Sequence, residues 1–159
     1  MNLAKFDTRS ASEEGQWLDI LDWDWETKIG FRVKVLGPDS MVAARINDEE
    51  EKAFQAKLAA AYAKGAKSAS EDSELLSVEK AVLKAVKLTV AWEGAEWEGG
   101  ELPFNEKNAA MLYTQCSHIR TQVLAFYNQK ANFTKGESKG SAPSSSSASN
   151  STTRAKKAR

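Results

Sequence analysis

One cysteine, one histidine and no long apolar run set the first limits on this chain. Cys116 has no partner for an intramolecular disulfide, so nothing in the cysteine usage points to an oxidising compartment. The opening residues, MNLAKFDTRSASEEG, lack the apolar core of a secretory leader. No stretch approaches the roughly 20 apolar residues that a bilayer-spanning helix needs. A soluble intracellular protein without a membrane partner is the expectation. Catalytic signatures are equally sparse. Gly94, Gly99 and Gly100 form neither GxGxxG nor a phosphate loop, and no lysine stands at the required place. Cys116 and His118 are two apart, which on a helix turns them to different sides, and the second Cys/His pair of a structural zinc site is missing. A calcium loop on Asp22, Asp24 and Glu26 fails because Thr27 occupies the position that requires glycine. No cofactor, metal or catalytic residue is therefore assigned.

What is present fits one domain. A chain of 159 residues is large enough for a single core and too small for two independent ones of much stability. The 22 basic and 22 acidic residues are unevenly spread. From Thr134 onward there are six basic residues (Lys135, Lys139, Arg154, Lys156, Lys157, Arg159) against Glu137 alone, so the preceding body is acidic. Residues 134–159 hold eight serines and no aromatic residue, too little apolar surface to offset chain entropy, so a disordered basic tail is expected. Without an aromatic residue for stacking, that tail is not expected to read nucleic acid specifically.

Residues 1–15 are polar and read as a loose arm, leaving 16–133 as the globular body. Ile29, Phe31, Val33 and Val35 alternate with polar residues, the period of a strand buried on one side. Trp17 to Trp25 supplies its partner, and a turn near 26–28 closes a hairpin over about 17–36. Asp22, Asp24 and Glu26 would then share one strand face. They read either as a carboxylate cluster for glycoside or metal chemistry or, more simply, as charges that discourage edge pairing. The fold class is mainly α with this small N-terminal hairpin.

Gly37-Pro38-Asp39-Ser40 ends the strand, and Asp39 or Ser40 can cap a helix over about 41–64. Phe54, Leu58, Ala61 and Tyr62 make its apolar side and Asp48 to Lys52 its solvated one. After a flexible connection at 65–72, Ser73 would cap a helix over about 74–91, with Leu75, Val78, Val82, Ala85, Val86 and Val90 in one stripe. Then come Trp92 and Trp97 in an acidic glycine-bearing loop, a helix at about 106–114 capped by Asn105, and a last helix at about 117–131.

The order of a β segment ending in Gly37-Pro38-Asp39-Ser40, a charged helix, a helix running into Val90-x-Trp92-x-Gly94, an acidic glycine loop, Pro103-Phe104 leading to Asn108, and a close at Asn132-Phe133 resembles tail assembly chaperones of long-tailed bacteriophages. The resemblance covers about residues 17–133. In the family an acidic residue often precedes the asparagine matched to Asn108, whereas here Lys107 does and the acid is Glu106. The resemblance implies a non-enzymatic protein of the host cytoplasm, absent from the mature virion, that holds the tape measure protein and recruits tail tube protein. It implies too a longer frameshifted form, and leaves self-association open. Trp92, Trp97, Phe104 and Asn108 are the candidate partner-binding residues, with packing onto the core as the alternative for the aromatics. A structural tail or neck component and an enzyme using Asp22, Asp24 and Glu26 are the competing functions.

Overall fold

The computed structural model describes residues 1–64 and 71–134. Of the connection expected at 65–72, residues 65–70 lie outside the described residues, as does the basic tail from 135, while Glu71 and Asp72 already belong to a helix. The fold is α+β. Helix α1 (Arg9–Glu14) leads into β1 (Gln16–Leu21) and β2 (Lys28–Val35), followed by the long helices α2 (Met41–Lys64) and α3 (Glu71–Leu88). Strand β3 (Thr89–Glu93), a small hairpin of β4 (Glu96–Trp97) and β5 (Gly100–Glu101), and helices α4 (Glu106–Gln115) and α5 (Ser117–Asn128) complete it.

The expected hairpin forms, and it gains a third strand. The sheet order is β1-β2-β3, all antiparallel, with Gln16 opposite Val35 and Val33 opposite Trp92. Phe31, Val33 and Val35 are buried as their alternation requires, but Ile29 is exposed. The register shifts between Asp19 and Leu21, and Gly30 takes φ 82°, so the alternation breaks at that irregularity. β3 corrects the reading of a helix to Ala91 with Val90 in its stripe. The helix ends at Leu88, whose carbonyl accepts from the Leu36 N–H at 2.8 Å, and Val90 is exposed. Thr89 and Val90 are β-branched, and the open edge of β2 offers them a ladder in place of another helical turn. The same helix starts at Glu71, which puts Ser73 inside its first turn instead of at its cap.

Helix caps follow their chemistry more closely. Ser40 Oγ accepts from the Ala43 N–H at 3.1 Å and donates to the Gly37 carbonyl at 2.7 Å, so Ser40 and not Asp39 caps α2. Asn105 Oδ1 accepts from the Asn108 N–H at 2.8 Å, as expected for α4. α5 stops at Asn128, short of the expected 131, and a 3-10 turn over Lys130–Phe133 brings the Phe133 ring into the core. The N-terminal arm is a second correction. Ser10 N–H and Oγ–H both bond the Asp7 carboxylate, which nucleates α1, and Ala11 and Ser12 are buried. Ser12 accepts from the Gly37 N–H through its carbonyl, Thr8 bonds Asp39, and Glu13 accepts from the Met41 N–H at 2.8 Å. Short polar side chains that look solvated in the sequence thus clamp the arm onto the start of α2.

One continuous core joins the sheet to the helices. It includes Ile20, Phe31, Val33 and Val35 from the sheet, Ala85 and Leu88 from α3, Leu112 and Tyr113 from α4, and Val123 and Tyr127 from α5. Tyr113 is wholly buried, with its hydroxyl 2.6 Å from Thr89 Oγ1, which itself donates to the Ala85 carbonyl. Burial pushes the Tyr113 phenol up to about 12. α2 is different. Its first turns reach the core through Ala43 and Ile46, and Glu49 and Glu50 pair with Lys87 and Lys84 of α3, yet Phe54, Leu58 and Tyr62 are all exposed. The apolar side expected to pack inward faces solvent along this length.

Candidate functional site

The acidic glycine segment folds into a hairpin that walls a cleft. Trp97 pairs with Gly100 across a two-residue turn in which Glu98 and Gly99 both have positive φ, 50° and 82°, the pattern of a type I′ turn. Gly94 has φ 76° and lies so close to β2 that a Cβ there would stand 2.2 Å from the Gly30 carbonyl oxygen. Only glycine permits both the conformation and the approach. The resulting cleft, of about 600 Å³, is lined by Trp92, Glu93, Gly94, Ala95, Glu96, Glu101, Leu102, Pro103 and Phe104.

Within it, the candidate residues take different places. Trp92 is buried in β3, its Nε1–H donates to the Leu102 carbonyl at 2.8 Å, and Phe31 and Phe104 meet its ring edge-on at centroid distances of 5.8 and 5.1 Å. It is a packing residue whose rim reaches the cleft. Phe104 is half-buried and joins it there. Trp97 is half-buried in β4 and does not line the cleft. Asn108 stands behind it, donating from Nδ2 to the Pro103 carbonyl at 2.8 Å and so fixing the bend from hairpin to α4. Glu93, Glu96 and Glu101 are exposed around the mouth, which gives the cleft an apolar floor and an anionic rim.

Asp22, Asp24 and Glu26 do not share a strand face, because β1 ends at Leu21 and all three lie in the exposed turn that follows. Asp24 Oδ1 accepts from the Glu26 and Thr27 N–H groups at 2.9 Å. Its Oδ2 accepts from the Thr27 hydroxyl. Those bonds, the Thr27 side chain first, hold its carboxyl down at about 2. Asp22 Oδ1 accepts from the Trp23 N–H at 2.7 Å. Both carboxylates shape the turn. His118 and Cys116 go separate ways: His118 packs under Trp23 and Trp25, while burial raises the Cys116 thiol. Among the described residues no group of His, Cys, Asp and Glu is placed to hold a metal, and no helix is long and apolar enough to cross a membrane.

Two further surfaces escaped the sequence reading. A shallow groove of about 440 Å³ runs between α3 and α5, lined by the apolar Val78, Ala81, Leu124 and Ala125 and the polar Ser77, Arg120, Thr121 and Asn128. On α2, Phe54, Leu58 and Tyr62 are 58%, 39% and 82% exposed, four residues apart along one side. The spacing was legible; that nothing among the described residues covers it was not. The chain matches no protein-family model, no curated protein and no solved structure.

Proposed function

We propose that this protein is a non-enzymatic tail assembly chaperone of a long-tailed bacteriophage, acting in the host cytoplasm to hold the tape measure protein and to bring in tail tube subunits. The observation that carries the reading is the uncovered apolar side of α2. A solvated helix gains nothing from Phe54, Leu58 and Tyr62 at four-residue spacing unless a partner takes them. A long amphipathic helix is the natural complement, docking by the helix-in-groove mode with a few aromatic anchors supplying most of the affinity. The α3/α5 groove offers a second seat of the same kind, lined by small and branched apolar residues. The anionic cleft beside Trp92 and Phe104 adds charge selection for a basic partner segment. The order of Trp92, Gly94, Pro103, Phe104 and Asn108, which resembles the chaperone family, points the same way.

Co-expression with a tape measure protein, scored by how much of that long protein stays soluble, is the direct test. The expected result is that the wild-type chain keeps it soluble and a Phe54→Ser, Leu58→Ser, Tyr62→Ser variant of unchanged helicity does not. Equal solubility with and without the chain would refute the chaperone role. Recovery of the chain from purified phage particles would favour a structural tail component instead.

A further inference from the structure

We propose that the Trp23–Trp25 turn is a docking site for cationic side chains, and that its occupant is the basic C-terminal segment of the same chain, residues 135–159. Trp23 and Trp25 are 75% and 51% exposed at the end of the β1–β2 hairpin, with exposed Ile29 close by in β2. Large aromatic rings in water on a turn would ordinarily be mobile. Here they are pinned. His118 of α5 stacks under Trp23 with centroids 4.4 Å apart and planes 19° from parallel, and Trp25 meets the same imidazole edge-on at 4.7 Å. His118 Nε2 lies 3.1 Å from both the Leu21 and the Asp22 carbonyl oxygens and 3.0 Å from Gln122 Nε2, which ties the imidazole to the turn. Gln122 grips Leu21 as a neighbouring strand would, accepting from its N–H and donating to its carbonyl, each at 2.8 Å. Trp25 itself has φ 61°, an uncommon conformation for a bulky residue. The two indoles are therefore ordered before anything binds, and ordering is a large part of what association costs.

The chemistry of the site selects its ligand. Trp23 gives one face to His118 and leaves the other to solvent, and an indole face is the strongest aromatic partner for a cation. Asp22, Asp24 and Glu26 flank it, all exposed, and among the described residues none of the three is in an ion pair. Open indole and unpaired carboxylates together suit guanidinium and ammonium groups. At the acidic surface beside β4 and β5, Trp92 is enclosed by Phe31 and Phe104 and Trp97 is half-buried, so no ring there stands as open as Trp23.

The segment after Thr134 is where this chain concentrates unbalanced positive charge: Lys135, Lys139, Arg154, Lys156, Lys157 and Arg159 against Glu137. Phe133, just before it, packs on Gly37 and Ser12, which lie at the Gln16–Val35 end of the same hairpin whose far end carries the tryptophans. β1 is six residues long, a span of roughly 20 Å at strand rise. Arg154 comes twenty residues after Thr134, and a chain of that length can extend about 66 Å or more. Reach is ample, and tethering raises the local concentration of the cations to about the millimolar range, where weak contacts suffice.

A nitroxide on the full-length chain at Ala155→Cys, in a Cys116→Ser background, tests this through the indole N–H signals in NMR. The Trp23 and Trp25 signals are expected to lose about half their intensity or more at low salt and to recover near 1 M salt, where screening shortens to about 3 Å. Trp17, Trp92 and Trp97 should keep theirs. As a check that leaves Cys116 in place, the untagged variant Arg154→Gln, Lys156→Gln, Lys157→Gln, Arg159→Gln should shift the Trp23 and Trp25 signals and leave Trp92 unmoved. Unbroadened Trp23 and Trp25, or strongest broadening at Trp97, overturns the site. Equal broadening in isotope-labelled, untagged chains mixed with tagged ones overturns the intramolecular occupant.

Discussion

Helices α2 and α5 carry the same kind of sequence pattern and meet opposite fates. On α5, Val123 and Tyr127 are buried between the sheet and α3, and Ile119 and Phe126 are partly covered. On α2, Phe54, Leu58 and Tyr62 repeat at comparable spacing and stand in water. The difference lies in what surrounds each helix. α5 is flanked by α3, α4, β1 and β2, whereas among the described residues α2 past its first turns rests mainly on α3, held by Lys87–Glu49 and Lys84–Glu50 pairs that are themselves partly exposed. Exposed pairs of this kind add little stability. The sheet and the helices around it are thus built to fold, and one face of α2 is left for something else.

The sharpest way to break that comparison is to remove one phenylalanine from each side. Phe133→Ala should cost about 3–5 kcal/mol, since its ring is wholly buried. Phe54→Ala should cost under about 1 kcal/mol, as surface changes do. Urea unfolding measures both, and a Phe54→Ala loss as large as that of Phe133→Ala would mean that α2 is covered in the isolated protein, by a second copy.

Next come the glycines of the cleft wall. Gly94→Ala should lose about 3 kcal/mol, because it adds a clash with the Gly30 carbonyl to the strain of positive φ. Gly99→Ala, also at positive φ but with nothing within 4 Å of its Cβ, should lose only the conformational part, about 1 kcal/mol. Equal losses would show that the close approach to β2 contributes nothing.

Tyr113 makes the buried side sensitive to alkali. Its phenol ionises near pH 10 when unfolded and is pushed up to about 12 in the fold. Between those values the unfolded chain holds fewer protons than the folded one, so stability is full below pH 10 and falls as pH rises toward 12. The drop should be about 2–3 kcal/mol in the wild type, and Tyr113→Phe should lack that component. Parallel pH curves for the two proteins would remove Tyr113 as its source. The smallest effect on the fold is expected at Trp97→Ala, which should leave helicity by circular dichroism nearly unchanged while weakening partner retention. Loss of folding there would make Trp97 a packing residue like Trp92.

Much of the architecture was readable from local chemistry. α2 matches its expected span because Gly37-Pro38 stops the strand and Ser40 supplies the cap, and α4 begins where Asn105 can accept from the Asn108 N–H. Misreadings cluster where a neighbour decided. Thr89 to Glu93 continues the apolar pattern of α3, and only the free edge of β2 makes it a strand. Residues 1–15 are mostly polar, and their order comes from Thr8, Ser12 and Glu13 finding partners around Gly37 and Met41. For the candidate site, the glycine and tryptophan positions were legible in the sequence. Which tryptophan is core and which is surface was not.

The sequence by itself determined the places of the four longer helices, the caps at Ser40 and Asn105, the alternation of Phe31, Val33 and Val35 and the separation of an acidic body from a basic end, because each rests on the period, the capping chemistry or the charge of neighbouring residues. Tertiary structure alone decided that β3 joins the sheet, that Trp92 is enclosed while Trp23 and Trp25 stand open on His118, and that the side of α2 bearing Phe54, Leu58 and Tyr62 is uncovered. Periodicity fixes which residues share a face. Whether another element lies against that face depends on residues distant along the chain.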